Sequence, residues 1–362
     1  MADGQPGDPE SVLAICLGPH YLHRLRQLKQ PFGCDCNCIT NVNFPTSLFA
    51  RLKEVRMLSE LQRIKNSLME SHCVIGGSAR SGTTIIGNLI HSFNSVEYFF
   101  EPPIINHLFS LPKETIDATF WQTYECSLFD DLLLGAIAGR NLNFNSNDDS
   151  CIYRAKSRTE IESRLSKGHR AAELALLAEH HLIAYKLPAA IFRFAEIQEH
   201  YPNATIIGVH RDSNPVVQSI LVKGWFSDAT LSPTSRLAMP HKNIINNIRV
   251  PCWVEEKDSV EWAVLSEVDR AFYYYCQATE SLCNAIENRS AVGISYAKLL
   301  QSPRQVVASL LNLLRVEPGE MTESIVSQIR DPSQTRPAST LESGRFDKQS
   351  RLLTDRISGL LL

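Results

Sequence analysis

Apolar positions recur at intervals of three and four from Thr46 to Glu70, where Leu48, Leu52, Val55, Leu58, Leu61, Ile64 and Leu68 fall on one side of a helix. The period then changes. Cys73 to Ile75 is a short apolar run that reads as a buried strand. It passes through Gly76, Gly77, Ser78, Ala79, Arg80, Ser81 and Gly82 into Thr83, Thr84 and an apolar helical segment ending near Phe93. Val96 to Phe100 reads as a second strand, stopped at Glu101-Pro102-Pro103 because proline cannot continue a ladder. Residues 113–183 carry mostly helical pattern, broken by an Asn-rich loop at 141–150 and a basic segment at Arg154 to Arg158. Further strands are expected at Leu182–Tyr185, Ala204–Val209 and Ala291–Ser295. Helices are expected at Ile191–His200, Asn214–Val222, Val260–Asn288 and Pro303–Leu314. Strands alternating with helices predict an α/β fold of the P-loop nucleotide-binding kind, with a mainly parallel central sheet flanked by helices.

The same pattern divides the chain. Residues 1–45 read as an N-terminal extension, with a helix at Val12 to Leu28 and a loop from Pro31 to Pro45. Residues 46–330 read as one domain and 331–362 as a C-terminal segment that begins with a Pro/Ser/Thr loop. Gly224 to Lys257 lacks periodicity and is long for a connection, so it is either a lid over a ligand or simply a large inserted loop.

Composition narrows the partners. With 362 residues, 44% of them apolar and 21% charged, the chain can bury a core without disulfide staples. The net charge of -3 offers no global field for nucleic acid, so anion binding must come from locally placed Arg and Lys. Met1 to Glu10 is acidic and rich in Gly and Pro, unlike a signal peptide, and no apolar run approaches the roughly 20 residues a membrane span needs. A soluble cytoplasmic protein with no membrane partner is expected. Most of the ten cysteines, Cys73, Cys276 and Cys283 among them, lie in apolar stretches as buried free thiols do. Cys34, Cys36 and Cys38 alternate as soft-metal ligands can, but no second Cys or His pair stands at finger-like spacing, so no metal is expected.

The Gly-rich tract at 76–84 carries the chemistry. Small residues let several backbone N–H groups converge on one anion, and the helix N-terminus behind them adds partial positive charge. Gly77 and Gly82 stand at the spacing of a triphosphatase loop, yet Thr83 and Thr84 follow where such a loop has Lys and Ser or Thr. The cation is instead Arg80, inside the loop, and no strand ending in a clear metal-binding Asp follows. A second strand-to-helix turn, His210-Arg211-Asp212-Ser213-Asn214-Pro215, also opens on a cation. Two such turns in one sheet suggest a ligand with two separated anionic groups.

The segment GSARSGTT, the Arg211-to-Ser219 spacing in HRDSNPVVQS and the SYAKLLQSP segment at 295–303 together resemble the sulfotransferases that use 3′-phosphoadenosine-5′-phosphosulfate, nearest to the bacterial and carbohydrate-type members. The resemblance spans about residues 72–315. It implies that Arg80, Ser81, Gly82, Thr83 and Thr84 hold the 5′-phosphosulfate, and that Arg211 and Ser219 bind the 3′-phosphate. It also implies that Tyr296 neighbours the adenine, that Arg345 belongs to a basic segment closing over the 3′-phosphate, and that no metal is required. Cytosolic members acting on phenols place a His two residues after a Lys; the matching stretch here, Lys186-Leu187-Pro188, has none. Glu101, in its Glu-Pro setting, is the candidate general base, with His107 in reserve, and Lys186 and Arg80 would neutralise charge in the transition state. Thr83 and Thr84 are also candidate helix caps. The acceptor implied is a hydroxyl, in preference to an amine, of a carbohydrate or small natural product. A small-molecule kinase or other nucleoside-triphosphate enzyme, and a non-catalytic nucleotide-binding protein, are the alternatives.

Overall fold

The computed structural model describes residues 45–148, 150–166, 170–236, 241–329, 341 and 345–361. The chain divides into two compact units, residues 1–53 and 54–362. Of the first, only the opening of the helix Pro45–Glu70 is described. The helix expected at 12–28, the loop from Pro31 and the Cys34, Cys36 and Cys38 group lie outside the described residues, as does the 331–341 loop apart from Leu341.

Strands β1 (Cys73–Gly77), β2 (Val96–Phe100), β3 (Leu182–Lys186), β4 (Thr205–His210), β5 (His241–Ile245), β6 (Ile248–Pro251) and β7 (Val292–Ser295) form two sheets. The larger has the order β2-β3-β1-β4-β7, with every pair parallel. Parallel strands are covered on both faces and read as nearly continuous apolar runs, and each residue's face follows from the period of two. Val74, Phe99, Ile183, Tyr185 and Ile206 face one layer with Ile64, Leu68, Tyr124 and Leu282. Cys73, Ile75, Tyr98, Ala184, Ile207 and Val209 face the other with Ile86, Leu89 and Leu310. Cys73, Cys276 and Cys283 are buried free thiols.

This strand order places the candidate chemistry. The chain leaves β1 toward one side of the sheet, and after β3 it crosses to the other, the reversal at which open α/β sheets hold ligands against the C-terminal strand ends beside β1. Every candidate turn from the sequence, after β1, β2, β3, β4 and β7, lies at that edge.

Two expected elements differ. The helix expected over Val260–Asn288 is two helices, Ser259–Val264 and Glu267–Glu287. Ser266 interrupts it by capping the second, its Oγ accepting the Asp269 N–H at 3.1 Å. The helix expected over Ile191–His200 begins as a 3-10 turn, Pro188–Arg193, before Phe194–His200 becomes α-helical. The described part of the 224–257 segment, residues 224–236 and 241–257, is structured. It holds the short helix Asp228–Leu231 and the antiparallel hairpin of β5 and β6. Asn246 and Asn247 turn the hairpin with φ of 51 and 62°, the left-handed pair that a two-residue turn of this hand needs.

Three imidazoles are buried among these layers. His72 Nδ1 lies 2.5 Å from Met69 O and its Nε2 2.8 Å from the Tyr124 hydroxyl, while His210 Nε2 meets the Tyr275 hydroxyl at 3.0 Å. Burial depresses His72 and His210 to about 4 and His91 to about 3. In the unfolded chain histidine titrates near 6.5, so below that pH the unfolded state takes up protons that the folded state refuses. The contribution is complete above about pH 7 and is lost as pH falls toward 4, by about 1.4 kcal/mol per pH unit for each group at most. Thermal melts should therefore show the midpoint dropping steeply between about pH 6.5 and 4.5. A flat profile over that range would contradict the buried neutral state.

Candidate active site

β1 ends at Gly77, whose φ of 151° and closeness to Val209 O, 2.5 Å from where a Cβ would stand, leave room for no side chain. The loop then closes on itself. The Ser81 N–H donates to Ser78 O at 3.1 Å, and Arg80 takes a left-handed φ of 70°. Gly82 (φ 102°) is the N-cap of the helix Thr83–His91, so Thr83 and Thr84 occupy the first helical positions and do not serve as its cap. A Cβ on Gly82 would lie 2.3 Å from the Tyr296 ring, so the loop backbone rests directly on that tyrosine. Ser81 is fully buried, and among the described residues its Oγ has no hydrogen-bond partner. A buried hydroxyl left in that state costs about 1–3 kcal/mol and fits a ligand oxygen as its missing partner.

The second turn meets the first. Arg80 Nε donates to Ser219 Oγ at 2.8 Å, and Arg211 Nη1 donates to Arg80 O at 3.3 Å. The Arg211 guanidinium lies over the Tyr296 ring at 4.6 Å. Arg80, Gly82, Arg211, Ser219 and Tyr296, from three separate turns, thus form one cluster.

Beside it stand the tips of β2 and β3. Their register pairs Phe100 with Lys186, and the Glu101 N–H donates to Lys186 O at 2.8 Å. The Leu187 N–H donates in turn to Ile75 O at 2.9 Å, which ties both tips to β1. Lys186 is buried, its ammonium 4.3 Å from the centre of the Phe100 ring and ion-paired with Glu101. The Glu101 side chain remains 43% exposed, and its backbone adopts φ of 44°. That region is disfavoured for a residue with a Cβ by about 1–2 kcal/mol. Such strain persists where surrounding bonds over-determine it, here the β2–β3 pairing. The reserve base His107 is exposed on the helix Pro103–Phe109.

A model of the sulfotransferase family matches residues 73–320. The chain belongs to the sulfotransferase family. Among solved structures, this sulfotransferase is similar to the sulfotransferase domain of the Synechococcus PCC 7002 olefin synthase, at 14% identity and a TM-score of 0.43, covering 80% of this chain and 94% of that one. It is similar also to the sulfotransferase domain from the curacin biosynthetic pathway, at 14% identity and a TM-score of 0.43, covering 81% and 99% of the two chains. The sulfotransferase STF9 from Mycobacterium avium matches at 12% identity with a TM-score of 0.38 over 84% of this chain and 80% of that one. No curated protein matches the chain.

Arg345 of this sulfotransferase makes its contacts outside the residues named so far. It is ion-paired with Glu261 and lies 5.5 Å from the Phe346 ring. The C-terminal segment does reach the second turn through Leu341, whose N–H donates to Asn214 Oδ1 at 3.3 Å. Among the described residues no group of His, Cys, Asp and Glu is arranged to hold a metal ion, and no helix is long and apolar enough to cross a membrane. One residue at the sulfotransferase loop was not among the sequence candidates. The hydroxyl of Tyr274, buried on the helix Glu267–Glu287, accepts the Ala79 N–H at 2.7 Å. Its only trace in the sequence is the run Tyr273-Tyr274-Tyr275 in mid-helix.

Proposed function

We propose that this sulfotransferase takes its sulfuryl group from 3′-phosphoadenosine-5′-phosphosulfate and transfers it in line to a hydroxyl, in preference to an amine, of a carbohydrate or small natural product. The observation that carries the reading is the contact of the two cationic turns, Arg80 on Ser219 and Arg211 on Arg80 O. Two cations this close, beside an unpartnered buried Ser81 hydroxyl, suit a ligand with two anionic groups and no magnesium. Ser81, Gly82, Thr83 and Thr84 would hold the 5′-phosphate with hydroxyls and first-turn N–H groups, and Arg80 would span the two anionic ends. Arg211 and Ser219 would take the 3′-phosphate, and Tyr296 would border the adenine. When bound, the donor supplies an activated sulfuryl group whose departure leaves adenosine 3′,5′-bisphosphate.

The protein's own groups do the rest. Glu101 would accept the proton of the acceptor hydroxyl, and Lys186, drawn from Glu101 toward the incoming anion, would neutralise the sulfuryl oxygens as charge moves onto the leaving phosphate. The ion pair seen here aims both groups before ligands arrive. Arg345 would bear on the 3′-phosphate only after leaving Glu261. We place the protein in the cytoplasm.

Thermal shift tests the donor assignment. Adenosine 3′,5′-bisphosphate should stabilise the protein and ATP with magnesium should not; stabilisation by ATP with magnesium alone would overturn the reading in favour of a nucleoside-triphosphate enzyme. Arg211→Ala should weaken bisphosphate binding about ten- to a hundredfold, the worth of a charge-assisted hydrogen-bonded contact. Calorimetric titration of both proteins measures it.

A further inference from the structure

We propose that Tyr274 is a positioning residue for the donor loop, and that the 224–257 segment acts on the loop through it as a fixed buttress and not as a lid. The proposal rests on the reading of residues 80–84 as the 5′-phosphate site.

The loop is fastened at two points. The Ser81 N–H closes onto Ser78 O, and the Ala79 N–H is taken by the Tyr274 hydroxyl at 2.7 Å. With Ala79 committed, the amides that follow, at the start of the helix Thr83–His91, are left to face an anion. Removing the hydroxyl would leave the Ala79 amide without its partner in a half-buried position, and the peptide would turn to seek another. Burial pushes the Tyr274 phenol up to about 12, and the nearby Glu101 charge acts in the same sense, so the hydroxyl keeps its proton through neutral pH.

The ring that carries this hydroxyl is fixed by the 224–257 segment. Trp253 meets it at 5.1 Å and Phe226 at 5.5 Å between ring centres, and Phe192, from the turn after Lys186, at 6.1 Å. Trp253 also stacks on Phe192 at 5.6 Å with 9° between planes. Val250 and Val254 of the segment are buried in the same cluster. The helix that bears Tyr274 grips the segment a second time, one turn earlier. Buried Arg270 donates to Phe226 O at 3.1 Å and pairs with Asp228 at 2.6 Å, and it also donates to Trp262 O and Ala263 O. Opening the described part of the segment as a lid would expose these rings and strip a buried guanidinium of two of its acceptors, Phe226 O and Asp228, so that part holds still and the loop is held with it.

Tyr274→Phe keeps the ring and deletes the hydroxyl. Calorimetric binding of adenosine 3′,5′-bisphosphate should weaken about five- to tenfold, the worth of one neutral hydrogen bond. Steady-state rates should show the donor KM raised and the acceptor KM unchanged, a split that a general loss of structure would not produce. Trp253→Phe, which loosens the ring packing without touching the loop, should shift donor affinity in the same direction by a smaller factor. Tyr274→Phe binding the bisphosphate as the unaltered protein does would overturn the proposal alone, and failure of the unaltered protein to bind it would overturn both readings. A change in acceptor KM with donor affinity intact in Trp253→Phe would return the segment to a lid.

Discussion

Glu101→Gln is expected to lower sulfuryl transfer by about a hundred- to ten-thousandfold, the range for losing a positioned general base, with binding of adenosine 3′,5′-bisphosphate retained. The amide keeps the size of the carboxylate and cannot accept the acceptor's proton. It also ends the ion pair with buried Lys186, but the bisphosphate lacks the sulfuryl group that this lysine would meet, so its affinity should not follow the pair. A weaker role for Glu101, as a mere counter-ion to Lys186, predicts near-normal turnover with the true acceptor, a result that would reassign the base, with His107 next to be tested. Rates under single-turnover conditions, set beside calorimetric affinity for the same variant, separate the two.

The second large effect is expected at Lys186→Met. Methionine preserves an apolar stem beside the Phe100 ring, which the ammonium approaches to 4.3 Å, and removes only the charge. Because the cation would act on the sulfuryl oxygens, kcat should fall about a hundred- to a thousandfold, as when one donor to developing charge is deleted. Affinity for the bisphosphate product, which has no sulfuryl group, should stay within about twofold, since it lacks the group that the lysine would meet. An equal loss in kcat and in bisphosphate affinity would make Lys186 a general anion anchor.

Much of this arrangement was legible before the structure because it is local. A five-residue apolar strand running into a Gly-rich turn and then a helix reads at short range, and β2 and the helix Pro303–Leu314 lie where the apolar pattern put them. The β5–β6 hairpin was also written locally, in Asn246-Asn247 between apolar runs, but it lies inside a segment whose polar flanks hide the alternation. The break at Leu265-Ser266 went unseen because the helical period continues on both sides of it, and only the Ser266 cap marks the restart. The individual tertiary contacts were not legible, although two cationic turns in one sheet pointed to a shared ligand. That Arg80 reaches Ser219, 139 residues away, and that Ala79 donates to Tyr274, 195 residues away, depends on which strands become neighbours. A helical pattern says that Tyr274 faces inward but not which backbone amide its hydroxyl will find.

The strand order also acts as a ruler. Along the sheet edge the groups fall in the sequence Glu101, Lys186, the Gly-rich loop proposed to hold the donor, Arg211 and Tyr296, one for each of β2, β3, β1, β4 and β7. Neighbouring strands are about 4.8 Å apart, so the proposed base and the proposed 3′-phosphate cation are separated by about 14 Å measured across the strands. The distance from the proposed base to the proposed 3′-phosphate cation is thereby set by a pitch that no surface substitution alters, and a donor bridging the two turns must match it.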